Sequence, residues 1–386
     1  MKRLTTRQAS WVVLSAIALL LVLAAVFTFV EPPRATDFDR LHATATDDAL
    51  AEATPVMEAT GTMVVPEPTV VFRQPLDAFF GAAWSENSEF MALTSRQGDR
   101  DLLSVFGSMG DILTTEPIAG LRTAPIFVSS TQVAAYAVHG ATPQIMTVDW
   151  ATHDTSLRDL KGDCRDAAIY PVLSGQPGQL TLVGTSPNRD FTADTTHVFL
   201  ADLASGACGL WQTYPEIQTA SVVGLTDGRL ALSLFRRPGT PDDPGHHEVA
   251  VFQVGGSAKP TCLIDARANP ILWNDREALG VRDPNRNGSV EVWDIVTCSL
   301  ITRVPIGNAP NYAMAHDATR GWLYVGGTSL VVLDDQTGAE LRRVPISERA
   351  DAWVRSVTMA PDGTRLAVFV AFDQGLAGEL VVFALR

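Results

Sequence analysis

Two stretches decide the fold: VEVWDIVTCSLITRVPIG at residues 290–307 and LVVLDDQTGAELRRVPIS at residues 330–347. Each is an apolar run, an acidic residue, a turn and a second extended run, and both end on Arg-Val-Pro-Ile. The same design, with a small or acidic residue before the turn, occurs at 102–115, 145–160, 198–213 and 249–265, and a half-copy, LVVFALR (380–386), ends the chain. The copies start 40 to 53 residues apart, a spacing that belongs to radially repeated sheets. Before each lies a second pattern, strand–turn–strand, as in LTDGRLALSLF (225–235) and APDGTRLAVFV (360–370). Its turns, Thr226-Asp227-Gly228 and Pro361-Asp362-Gly363, suit tight hairpins because Gly and Asp tolerate positive φ.

Together the patterns give units of four strands, a to d. Seven units are countable, and the seventh stops at Arg386 after its strand c. The segment TMVVPEPTVVFRQ (62–74) precedes the first unit and belongs to none. It is the donor of the missing strand, which would hide an edge otherwise open to aggregation. The expectation is therefore all-β: a seven-bladed β-propeller of four-stranded antiparallel blades over residues 63–386, closed by a strand at 63–73.

Val292-Trp293-Asp294 at the end of a strand c, and Ala360-Pro361-Asp362-Gly363-Thr364-Arg365-Leu366 at an a–b turn, carry a resemblance to propellers of the WD-repeat and YVTN type. Only one unit has Trp-Asp, and the Gly-His pair of WD repeats is absent. The resemblance implies the propeller fold and no particular activity.

Upstream, Lys2, Arg3 and Arg7 precede Trp11–Val30, about twenty residues without charge. At ~1.5 Å per residue a helix of this length spans a hydrocarbon core of ~30 Å. The basic flank places residues 1–10 in the cytoplasm and 11–30 as a single-pass signal-anchor in the cell membrane. No small-x-small cleavage site follows, since the chain runs on through Glu31-Pro32-Pro33. Residues 31–62, rich in Ala, Thr, Glu, Asp and Pro, read as a disordered acidic stalk. The propeller is then expected in the periplasm or extracellular space. Cys164, Cys208, Cys262 and Cys298 suit that side, an even number permitting two disulfides of unspecified pairing. Three of them begin strands d of successive blades, where blades are expected to splay apart.

The formal charge of −14 argues against a nucleic-acid partner. There is no GxSxG, HExxH, P-loop or CxxC motif, so no catalytic residue and no cofactor is assigned. In DPNRNGSVEVWD (283–294), Asp283, Asn285 and Asn287 are weak calcium candidates; Asn287-Gly288 reads better as a hairpin tip. The longest b–c connections, SPNRDFTADTTH (186–197) and RRPGTPDDPGHHE (236–248), share one face of the disc. They nominate Asn188, Arg189, Asp190, Arg236, Arg237, Asp242, Asp243, His246 and His247 as binding residues, with Arg286 on the next b–c turn. His139, His197 and His316 are further candidates near the pore, and the tryptophans read as packing. The expected role is a scaffold or binding module for a protein, peptide or glycan. A lactonase-like propeller hydrolase and an accessory subunit of a membrane complex are the alternatives.

Overall fold

A computed structural model describes residues 65–385, apart from 66, 121–122, 140–141, 165–167, 174–177, 188–193, 216, 226–227, 237–244, 258, 266, 274–277, 283–287, 307–312 and 374. The expected anchor at 11–30 and the expected stalk at 31–62 lie outside the described residues. Among the described residues no helix is long and apolar enough to cross a membrane.

The described chain is a seven-bladed propeller of antiparallel sheets. Blade 1 comprises Ala78–Trp84, Phe90–Gln97, Arg100–Gly107 and Ile112–Pro117, as strands a to d. In the same order blade 4 is Ile217–Gly224, Arg229–Arg236, His246–Gln253 and Cys262–Asp265. Blade 5 is Ala268–Trp273, Ala278–Arg282, Ser289–Asp294 and Ser299–Pro305. Blade 6 is Met314–Asp317, Trp322–Val325, Leu330–Asp334 and Glu340–Val344. Blade 3 departs from four strands: Lys161–Gly162 adds a fifth, parallel to its strand d, Ala207–Tyr214.

Blade 7 holds Trp353–Met359, Arg365–Ala371 and Gly378–Ala384, and its fourth strand is Thr69–Leu76 from the other end of the chain. That strand runs antiparallel to Gly378–Ala384, with Thr69 opposite Ala384 and Leu76 opposite Gly378. The expected donor is correct but its bounds shift from 63–73 to 69–76. Pro68 has no N–H for the ladder, so pairing begins only after it. Upstream, Val65 is buried among side chains of blades 6 and 7, and Arg342 donates to its carbonyl at 2.6 Å.

The core is not at the disc's centre but in the layers between blades. Seven clusters of buried apolar residues each join two neighbours, because strand alternation gives every blade two apolar faces. The cluster sealing the ring joins Leu76, Phe369, Leu380 and Val382 of blade 7 to Met91, Leu93 and Phe106 of blade 1. Phe79 stacks on Phe369 at 4.3 Å, and Trp84 Nε1 donates to the Thr358 carbonyl at 3.1 Å. Six of the seven repeat tryptophans lie in or against such layers: Trp84, Trp150, Trp211, Trp273, Trp293 and Trp322.

The c–d turns explain the acidic residue that four of the repeats carry. Asp149, Asp202, Asp294 and Asp334 end their strands c, and each carboxylate accepts backbone N–H groups two or three residues on. The fourth residue after each aspartate has positive φ: His153, Gly206, Cys298 and Gly338. Cys298 thus occupies the left-handed slot that Gly fills elsewhere, with φ 54°. From there it bonds to Cys262, across a Cα–Cα separation of 5.2 Å. The expectation that rims splay apart is overturned for blades 4 and 5. The other pair is Cys164–Cys208, which fixes the added fifth strand of blade 3.

Leu76 is 4% exposed and fills the layer that completes the ring. Leu76→Ala is expected to lower stability by about 2–5 kcal/mol in urea unfolding of the full chain. A loss below about 1 kcal/mol would mean the closing strand is not packed there.

Candidate functional site

The described part of the candidate face is the upper end of blade 4, where strand b ends and strand c begins. Ladder register sets Arg236 opposite His246, and Leu234 opposite Glu248. Glu248 in turn pairs with Asp265 of strand d. Leu230, Leu232 and Leu234 pack against blade 3, so the even-numbered row above them, Arg236 with His246 and Glu248, is on the same side. His247 falls on the other side, as do Val249 and Val251 in the layer with blade 5.

This alternation decides the histidine question. His246 Nε2 lies 2.9 Å from Asp265 Oδ1 and 3.7 Å from Glu248 Oε2, with its side chain half exposed. His247 instead packs against Phe235 with ring centroids 4.4 Å apart, and its Nδ1 is buried without a hydrogen-bond partner. Burial, with His246 adding to it, lowers the affinity of His247 for a proton. Adjacent in sequence, the two histidines cannot serve one ligand from one face. Among the described residues no group of three His, Cys, Asp or Glu side chains is placed to hold a metal ion.

Leu234, Arg236, His246 and Glu248 line a shallow hollow open to solvent. Tyr214, from strand d of blade 3, borders the same layer; burial and the Glu248 carboxylate oppose ionisation of its phenol. The arrangement presents a cation, an imidazole and two carboxylates above an apolar floor. Such a surface can recognise a polar partner through charged hydrogen bonds. Asn188, Arg189, Asp190, Arg237, Asp242, Asp243 and Arg286, and the calcium candidates Asp283, Asn285 and Asn287, lie outside the described residues.

Other candidates have structural employment. Glu291, from the stretch that suggested a calcium loop, is 3% exposed. Its carboxylate accepts from Arg267 Nε and Nη2 at 2.6 and 2.8 Å, Arg303 Nε at 2.9 Å and Trp293 Nε1 at 3.1 Å. His316 is buried and satisfied: it stacks on Trp273 at 3.9 Å between blades 5 and 6, and its Nε2 is 2.8 Å from Asp335. His197 Nδ1 lies 3.2 Å from the Thr213 hydroxyl, within blade 3. Sequence reading missed the Asp265–His246 contact, which no spacing signals; it arises from two ladders placing strands b, c and d side by side.

No protein-family model matches the chain, and no curated protein is detectably similar to it in sequence.

The hydrogen bond from Arg267, helped by Trp293 and Arg303, holds the Glu291 carboxyl down at about 2 against the opposing effect of burial. The unfolded carboxyl titrates near ~4.3. Its contribution is therefore complete above that pH and disappears as pH falls towards 2. Glu291→Gln is expected to cost about 3 kcal/mol at pH 7, and the deficit should shrink steadily below about pH 4.5. Urea melts of both proteins at pH 7, 4 and 2.5 check this; equal stability at pH 7 would contradict it.

Proposed function

We propose that this protein is a binding or scaffolding module: a propeller related to the WD-repeat and YVTN type, held outside the cytoplasm by a single-pass anchor at 11–30, that engages a protein, peptide or glycan. The observation that carries the binding role is the open hollow at the upper end of blade 4, where Arg236 and His246 stand solvent-exposed beside Glu248 and Asp265. A rigid ring beneath extended connections is the usual setting for recognition. The twenty uncharged residues at 11–30 and the pairing of all four cysteines support the extracytoplasmic side. The acidic charge of −14 favours a partner that is neutral or basic overall.

The test is quantitative co-purification of the full chain from its native membrane, beside the Arg236→Glu/His246→Ala double variant. One partner should accompany the wild type in near-stoichiometric amount and fall at least ~10-fold with the variant. An unchanged partner profile would remove the hollow from the binding surface. Hydrolysis of a lactone or ester by the wild type, lost in the variant, would replace this reading with the enzymatic one.

A further inference from the structure

Three polar groups where blade 3 meets the upper end of blade 4 lack partners within the chain. Arg236 ends strand b exposed, and its guanidinium makes no ion pair or hydrogen bond among the described residues. Glu248 is the second. Its side chain is only 23% exposed, yet its one ionic neighbour among the described residues is His246 Nε2, at 3.7 Å and outside hydrogen-bond reach. His246 is itself engaged by Asp265 at 2.9 Å. The third is the Tyr214 hydroxyl, buried with no hydrogen-bond partner. Tyr214 ends strand d of blade 3, its ring 5.5 Å from that of Phe252 on strand c of blade 4, and its phenol feels the Glu248 charge.

A largely buried carboxylate and a buried phenol are costly to leave unpaired, so the seam holds hydrogen-bonding capacity that a ligand can use. The ladder sets the geometry. Arg236 lies directly opposite His246 and Glu248 opposite Leu234, which makes the guanidinium and the carboxylate diagonal neighbours. Diagonal positions stand about 7–8 Å apart at the backbone, which leaves room for a small bipolar group between two unlike charges. Arg236, His246 and Glu248 line the hollow around Leu234, so its charged groups surround one apolar contact.

We propose that this hollow receives an α-amino-acyl terminus, a primary ammonium with a carbonyl or carboxylate oxygen on the adjacent carbon. The ammonium donates to the Glu248 carboxylate and the Tyr214 oxygen, and the ligand oxygen accepts from the Arg236 guanidinium. Leu234 packs under the first side chain. A ligand that is only cationic would leave Arg236 unanswered and place a like charge beside it, and one that is only anionic would do the same to Glu248. A bipolar terminus satisfies both. The assignment rests on the hollow being the binding surface of the preceding section, and it names what that surface holds. The same chemistry is offered by the amino terminus of a peptide and by a free amino acid.

Isothermal titration of the full chain in a nonionic detergent tests this with three probes: the peptide Ala-Leu-Ala amide, its N-acetylated form and free leucine. The peptide with a free amino terminus should bind, and acetylation should weaken it at least ~10-fold. Arg236→Gln and Glu248→Gln should each weaken it by a similar factor; Arg236 is exposed, so its variant reports on binding even if Glu248→Gln impairs folding. Leucine binding as tightly as the peptide would assign the free amino acid as the source, and weaker binding the peptide terminus. Equal affinity for the free and acetylated peptides would overturn the proposal, as would no binding of any probe up to ~10 mM. Loss of a co-purified partner in the Arg236→Glu/His246→Ala variant would then still hold for the hollow, which separates failure of the ligand class from failure of the binding surface.

Discussion

The structure depends on one pairing made across nearly the whole chain: Thr69–Leu76 against Gly378–Ala384. A propeller has no single core. Its apolar surface is divided among layers between blades, and a ring of seven blades has seven such layers only if it is closed. Without the N-terminal strand, blade 7 would expose the edge of Gly378–Ala384, and the layer containing Leu76, Phe369 and Met91 would lose one wall. Contacts across the seam reinforce it: Arg73 with Glu379 at 2.7 Å, and the Asp362 amide with the Ser88 hydroxyl at 2.9 Å. From below, Arg320 of blade 6 donates to the carbonyls of Gly363 and Leu385, pinning the last strand.

Closure was legible in the sequence because it is a counting problem. Six units of four strands, one of three and one spare strand leave a single tidy arrangement, and the repeated hairpin chemistry marks each boundary. The bounds of the spare strand were less legible, since the effect of Pro68 on the ladder competes with the apolar run Met63-Val64-Val65 before it. Pairing of the cysteines was illegible for a different reason. That Cys298 replaces a turn glycine is visible only when Asp149, Asp202, Asp294 and Asp334 are aligned as turn-capping residues. Then Cys298 is seen to be held at the rim by backbone geometry, facing the neighbouring blade.

The candidate site shows the same limit. Residue type and loop length brought attention to His246 and His247 together, but a strand sends adjacent side chains to opposite faces, and only register says which. His246 reaches solvent with two carboxylates beside it; His247 packs against Phe235 on the opposite face of the blade. Glu291 is the converse case. A carboxylate in an apparent metal-loop pattern is consumed by two arginines and an indole, so its charge belongs to the seam between blades and not to a ligand. Charged residues in this fold stay exposed where the ladders of blade 4 end, and are paired and buried where blades meet at Glu291.

Hydrogen–deuterium exchange across the seam tests the closed ring most directly. In a ring sealed by the N-terminal strand, the amides of Thr69–Leu76 that face the neighbouring strand are protected as strongly as those of Gly378–Ala384, and both are released only with global unfolding. Rapid exchange throughout Thr69–Leu76, with Gly378–Ala384 exchanging slowly or not, would contradict that closure.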